Sequence, residues 1–140
     1  EPDATPLALA HRLGVPRNTV HARLGRLAPR LQPYSRRVDA GALGYPLVAF
    51  VQLAVEQRLS VSAISGLGEI PEVVELHATT GDFDVLVRVV ARDTGDLFRI
   101  TSLIAAVPGV QRSSTSVSLA EPLPLRTRPL LEAAAAGAGA

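Results

Sequence analysis

The fold class predicted for this chain is α+β: an N-terminal helix-turn-helix followed by a ferredoxin-like βαββαβ domain. Three observations predict the larger part. The run Tyr45 to Val55 is apolar at 47, 49, 51, 53 and 55, and again at 48 and 50, the pattern of a central strand covered on both faces. Ile70-Pro71-Glu72-Val73 and Val107-Pro108-Gly109-Val110 each close a helical pattern and open a strand, so strand–helix–strand occurs twice. Between the halves, Val73-Val74-Glu75-Leu76-His77-Ala78 and the β-branched run 85–92 flank Thr79-Thr80-Gly81-Asp82-Phe83-Asp84, which reads as a hairpin.

The N-terminal elements follow from caps and spacing. Thr5 caps a helix over 5–13, Pro6 suits its first position, and Gly14 ends it. Leu7, Leu9, Ala10 and Leu13 give it an apolar side. Pro16 starts a second helix, Arg17 to about Ala28, with Val20, Leu24 and Leu27 at i, i+4, i+7. Two short helices around a glycine turn fit a helix-turn-helix; an ordinary αα-hairpin fits as well. In the first case Arg17, Asn18, Thr19 and His21 meet base edges, and Arg23 and Arg26 meet phosphates. Residues 31–43 read as a connector with a short basic strand or wing. The expected domains are 1–37 (helix-turn-helix, truncated), 38–44 (linker), 45–122 (ferredoxin-like) and 123–140 (tail).

In the second module a helix over 60–70 carries Val61, Ile64, Leu67 and Ile70 on one face. Asp93 or Thr94 caps the next, roughly 94–107, with Leu97, Ile100, Ile104 and Val107 in a stripe and Phe98 and Leu103 beside it. The serine-rich run 110–119 suits an edge strand. Right-handed crossovers put both helices on one sheet face. The other face is left bare, and a second copy of the chain is expected to cover it. After Glu121, prolines and then an Ala/Gly end read as an extended, frayed tail.

Composition narrows the function classes. With 47% hydrophobic and 19% charged residues, most of the chain can build a core, one poor in aromatics. Net charge is only +1, but its distribution is uneven. Every Lys/Arg position is arginine, and Arg12, Arg17, Arg23, Arg26, Arg30, Arg36 and Arg37 precede residue 38, against Glu1 and Asp3 alone. Such asymmetry suits a nucleic-acid-binding head. There is no cysteine, so no disulfide, thiol nucleophile or cysteine–metal site. No apolar run reaches membrane-span length and no signal peptide is visible, so no membrane partner and a cytoplasmic location are expected. The chain begins at Glu1, and its natural N-terminus is expected to lie upstream. His11, His21 and His77 are far apart in sequence, and no carboxylate pair has a histidine or phosphate loop near it. No enzyme, metal site or cofactor is expected.

In order, the chain reads helix-turn-helix, basic connector, βαββαβ. It resembles the Lrp/AsnC (feast/famine) family of transcription regulators through Leu9-Ala10-His11-Arg12-Leu13-Gly14-Val15-Pro16, Val38-Asp39-Ala40-Gly41-Ala42-Leu43-Gly44-Tyr45-Pro46, Thr80-Gly81-Asp82-Phe83-Asp84 and Val107-Pro108-Gly109-Val110. The resemblance spans about residues 5–130 and departs from the family in lacking the helix before Thr5. It implies an N-terminal winged helix-turn-helix, here lacking its first helix, that binds double-stranded DNA. It also implies a C-terminal domain that dimerises through its sheet, assembles further, commonly into octamers, and binds a small effector, usually an amino acid, between subunits. By resemblance Thr80, Gly81, Asp82, Phe83 and Asp84 line that effector site, with Thr101 and Ser102 of a neighbouring subunit as a further wall. The loop carboxylates and hydroxyls suit an ammonium group, and free loop amides suit a carboxylate. The competing readings are a hydrogen-bonded tight turn for the loop, and an oligomeric ligand-binding sensor without DNA binding for the whole.

Overall fold

The computed structural model describes residues 4–28 and 38–137. The chain divides into two compact units at Asp39. In the first, α1 (Pro6–Leu13) and α2 (Arg17–Leu27) are joined by a three-residue turn. Thr5 Oγ1 accepts the Ala8 amide at 3.2 Å, and Gly14, at φ 62°, donates its amide to Ala10. Pro16 opens α2, its carbonyl accepting the Thr19 and Val20 amides at 2.9 and 3.2 Å. Ala10 and Val20 are the buried residues of the pair. The expected stripe is narrower than its spacing suggested: Leu24 is half-buried and Leu27 exposed, as are Leu7 and Leu13. α1 presents only Ala10 as a buried counterpart. Of the expected connector or wing over 31–43, residues 31–37, with Arg36 and Arg37, lie outside the described residues.

The second unit opens with a 3-10 turn, Gly41–Leu43, closed by Gly44 at φ 90°. It continues as β1 (Leu47–Val55), α3 (Ser60–Gly68), β2 (Val73–Ala78), β3 (Val85–Ala91), α4 (Thr94–Ala105), β4 (Val110–Val117) and α5 (Arg128–Gly137). The strands form one antiparallel sheet in the order β2-β3-β1-β4, the ferredoxin-like arrangement, with β1 central and β4 at an edge. Side chains alternate along β1. Ala49, Val51, Leu53 and Val55 are buried with Val85, Val87, Val89 and Ala91 of β3, beneath Ala63, Leu67 and Ile70 from the α3 segment and Leu97, Ile100 and Ile104 of α4. Full burial of one such Leu, Ile or Val contributes about 1.5–3 kcal/mol. The opposite positions, among them Phe50, Gln52, Leu86 and Arg88, face away from the helices. The repeat seen in the sequence is geometric: Val73 donates its amide to Ile70 at 3.0 Å, and Val110 does the same to Val107 at 3.1 Å.

Three expectations change. The buried face of α3 is Ala63, Leu67 and, just past its end, Ile70, while Val61 and Ile64 point to solvent. The small Ala63 sits where a Cβ on Gly109 would come within 3.5 Å, so the helix packs through its smallest side chain. On α4, Phe98 and Leu103 are exposed rather than packed beside the stripe. The tail read as extended contains α5. Proline is tolerated in a first turn, alanine is the best helix former, and Thr127 accepts the Leu130 and Leu131 amides, each at 3.1 Å.

The start of α4 is tightly bonded. Asp93 caps it through the Asp96 amide at 2.8 Å. The Asp96 carboxylate accepts the Arg92 amide at 3.0 Å and Arg99 Nε at 2.9 Å, and these bonds hold it below its ordinary range. Arg99 also pairs with buried Glu72, and Arg92 reaches the Tyr45 hydroxyl at 3.3 Å.

Candidate effector-binding site

The turn between β2 and β3 is built by its own polar groups. Thr79 donates its amide to the Asp84 carbonyl at 2.8 Å and its hydroxyl to the Phe83 carbonyl at 2.8 Å. Gly81 sits at φ 113°, a conformation side chains other than glycine rarely adopt. Asp84 fastens the turn to the central strand: its amide donates to the Leu53 carbonyl at 2.9 Å, and its Oδ2 accepts the Val55 amide at 2.8 Å. Arg112 of β4 stacks over the Phe83 ring, 4.8 Å from its centroid, and its Nη2 lies 3.4 Å from the Asp82 carbonyl.

These bonds shape a hollow of about 420 Å³ lined by Gln52, Thr79, Thr80, Asp82, Phe83 and Leu86. Gln52 pairs with Leu86 across β1 and β3, so the hollow opens on the sheet face that the helices leave bare. No described residue bonds the Asp82 carboxylate. An anion, two hydroxyls and an amide around an apolar floor suit a small zwitterion, with Asp82 for a cationic group. Among the described residues no three His, Asp or Glu side chains come together as a metal site.

In the first unit, Arg17, Asn18, His21, Arg23 and Arg26 are exposed along α2, and Thr19 is partly buried. The first turn of α2 carries no acidic residue. An exposed basic helix with its N-terminus uncapped by any side chain is a favourable surface for phosphate.

The Lrp/AsnC ligand binding domain family matches residues 48–127, more than half of the chain. The chain belongs to the Lrp/AsnC family. Its match carries a transcriptional regulator's ligand-binding domain. The HTH-type transcriptional regulator FL11 of Pyrococcus horikoshii is 31% identical over 108 residues, which are 76% of this chain and 72% of FL11. E. coli AsnC superposes with a TM-score of 0.78 at 23% identity, over 91% of this chain and 87% of AsnC, a likeness of fold. A feast or famine regulatory protein from M. tuberculosis, solved with L-methionine, gives a TM-score of 0.76 at 26% identity, over 90% and 87% of the two chains. No helix among the described residues is long and apolar enough to cross a membrane.

Within this Lrp/AsnC domain the predicted site residues separate. Thr80, Asp82 and Phe83 line the hollow, Gly81 sets its rim, and Asp84 is bonded back to β1. Thr101 and Ser102 are on α4, across the sheet from the hollow, each donating its hydroxyl to the Phe98 carbonyl at 3.0 and 2.8 Å. One chain does not bring them to the hollow. Sequence reading missed Gln52, Leu86 and Arg112 at the hollow and its rim. Gln52 carried a signal, as the one polar residue in Leu47–Val55. Arg112 carried none without the strand register.

Proposed function

We propose that this Lrp/AsnC regulator binds DNA through α1 and α2, acting as a helix-turn-helix within residues 1–37, and answers to an amino-acid effector bound by residues 45–122. The hollow beneath the Gly81 turn carries the reading. It offers a carboxylate, Asp82, that no described residue bonds, beside Thr79, Thr80 and Gln52, in a domain matched as ligand-binding. Its size suits a small amino acid, and a relative of this fold was solved with L-methionine. Asp82 takes the ammonium group, and Phe83 and Leu86 meet the side chain. Asp84 positions the turn. Thr101 and Ser102 join the site only from a neighbouring subunit. The bare sheet face supports a homodimer, with assembly beyond it such as an octamer.

Calorimetry of the chain against the common amino acids, L-methionine first, tests the effector. Binding is expected to be lost in Asp82→Ala while the fold survives. No heat from any amino acid, or unchanged heat in the variant, overturns the assignment. Gel shifts with the natural upstream DNA test the head. Unchanged binding after Arg17→Ala, Asn18→Ala and His21→Ala together would leave a second reading, an oligomeric sensor that does not bind DNA. That reading draws on the family match beginning only at residue 48.

A further inference from the structure

Past β4 the chain stays against its own sheet as far as Pro122, but its leucines do not pack on its own domain. Leu119, Leu123, Leu125, Leu130 and Leu131 are between 61% and 96% exposed, and no residue of α5 is buried. α5 has ten residues, below the length that persists alone in water. Its only charges, Arg128 and Glu132, pair with each other at 2.8 Å. A short helix of alanine and leucine needs a surface to lie on. α5 also lies past residue 127, where the family match ends.

The root of this segment shows which surface is near. Ser118 donates its amide to the Val48 carbonyl at 2.9 Å. Ser118, Ala120, Glu121 and Pro122 then wall a second hollow of about 220 Å³ with Val48, Phe50 and Arg88, on the bare sheet face. Arg88 Nε is buried there with no hydrogen-bond partner among the described residues. A buried donor left unpaired is costly, so the hollow is incomplete in one chain.

We propose that residues 119–137 are an exchanged arm. Each arm leaves over the bare face of its own sheet and seats Leu123, Leu125, Leu130 and Leu131 on the ferredoxin-like domain of a second copy of this chain. The inference rests on the homodimer proposed above. Area favours it. The strands have 9, 6, 7 and 8 residues. At the usual rise and strand spacing the sheet face measures roughly 480 Å². A stable pairing buries about 800 Å² of accessible surface per partner, and the exposed leucines of the arm add apolar area to what this footprint offers. The exchange is isologous: both arms dock in the same way, and the exchange itself is complete between two chains.

The chain has no cysteine, which makes the test clean. The variant Leu130→Cys carries a benzophenone maleimide and is mixed with ¹⁵N-labelled full-length chain, irradiated and digested. Cross-links joining labelled to unlabelled peptides from the sheet domain are expected. In parallel, a chain ending after Glu121 is compared with the full chain by sedimentation. Its dimer dissociation constant is expected to rise about tenfold or more. Its far-UV spectrum is expected to lose only the α5 signal. Cross-links within one chain only, or an unchanged dissociation constant, overturn the arm while leaving the sheet-face dimer standing. A full chain that is monomeric at every concentration overturns both.

Discussion

The carboxylate of Asp84 accepts the backbone amide of Val55 across 29 residues of sequence, at 2.8 Å, and ties the hairpin tip to the end of the central strand. Its neighbour Asp82, two residues away, lines the hollow instead. Asp84→Ala removes a bond to a charged acceptor and is expected to lower stability by about 1–2 kcal/mol. Asp82→Ala is expected to leave stability within about 0.5 kcal/mol. Urea unfolding of both variants checks this; equal losses would show that the two aspartates do not have separate roles.

Gly109 and Gly81 separate steric from conformational cost. Both have positive φ, 98° and 113°. A Cβ on Gly109 would lie 2.9 Å from the Leu59 Cβ, whereas at Gly81 nothing lies within 4 Å. Gly81→Ala is expected to cost about 1 kcal/mol from backbone strain alone. Gly109→Ala is expected to cost about 1–3 kcal/mol more, because Leu59, just ahead of α3, has to move. Thermal midpoints of the two variants measure the difference.

Asp96 makes the start of α4 sensitive to acid. The Arg92 amide and Arg99 hold its carboxyl below the ordinary range, so the folded chain binds its proton less readily than the unfolded chain. Its stabilisation is therefore complete above about pH 4, the unfolded value, and fades as pH falls through the lower folded value. Thermal midpoints of the chain and of Asp96→Asn, followed from roughly pH 6 to 2, are expected to converge at the acid end. Parallel curves would mean that another group carries the acid response.

The basic face of α2 predicts a salt effect. Arg17, Arg23 and Arg26 are exposed along it. Replacing them with alanine is expected to flatten the dependence of log affinity on log salt by roughly 0.9 for each phosphate no longer neutralised. Filter binding over a salt series on the upstream DNA reads this slope. An unaltered slope would assign phosphate neutralisation to residues outside α2.

Much of the fold was legible because its punctuation is chemical. Thr5, Gly14 and Asp93 cap as their side chains or φ require, and Pro71 and Pro108 mark the two equivalent turns. The face of α3 was not legible. Hydrophobicity favours Val61 and Ile64, whereas close packing against Gly109 selects Ala63, and that depends on a residue more than forty positions away. The candidate site was half legible. The Gly81 turn announced itself, but the contrast between Asp82 and Asp84 rests on strand register, as do the parts played by Gln52 and Arg112. α5 was hidden by its composition: Ala133 to Gly137 looks featureless until Thr127 and Pro129 start a helix ahead of it.

Because the first hollow has Gln52 for part of its wall, its mouth faces the same way as the uncovered side of the sheet. Anything that closes over that side also closes over the mouth. Occupancy and closure then form one thermodynamic cycle, in which each shifts the other by the same factor. Measured potency would accordingly vary with protein concentration as well as with the chemistry of the guest.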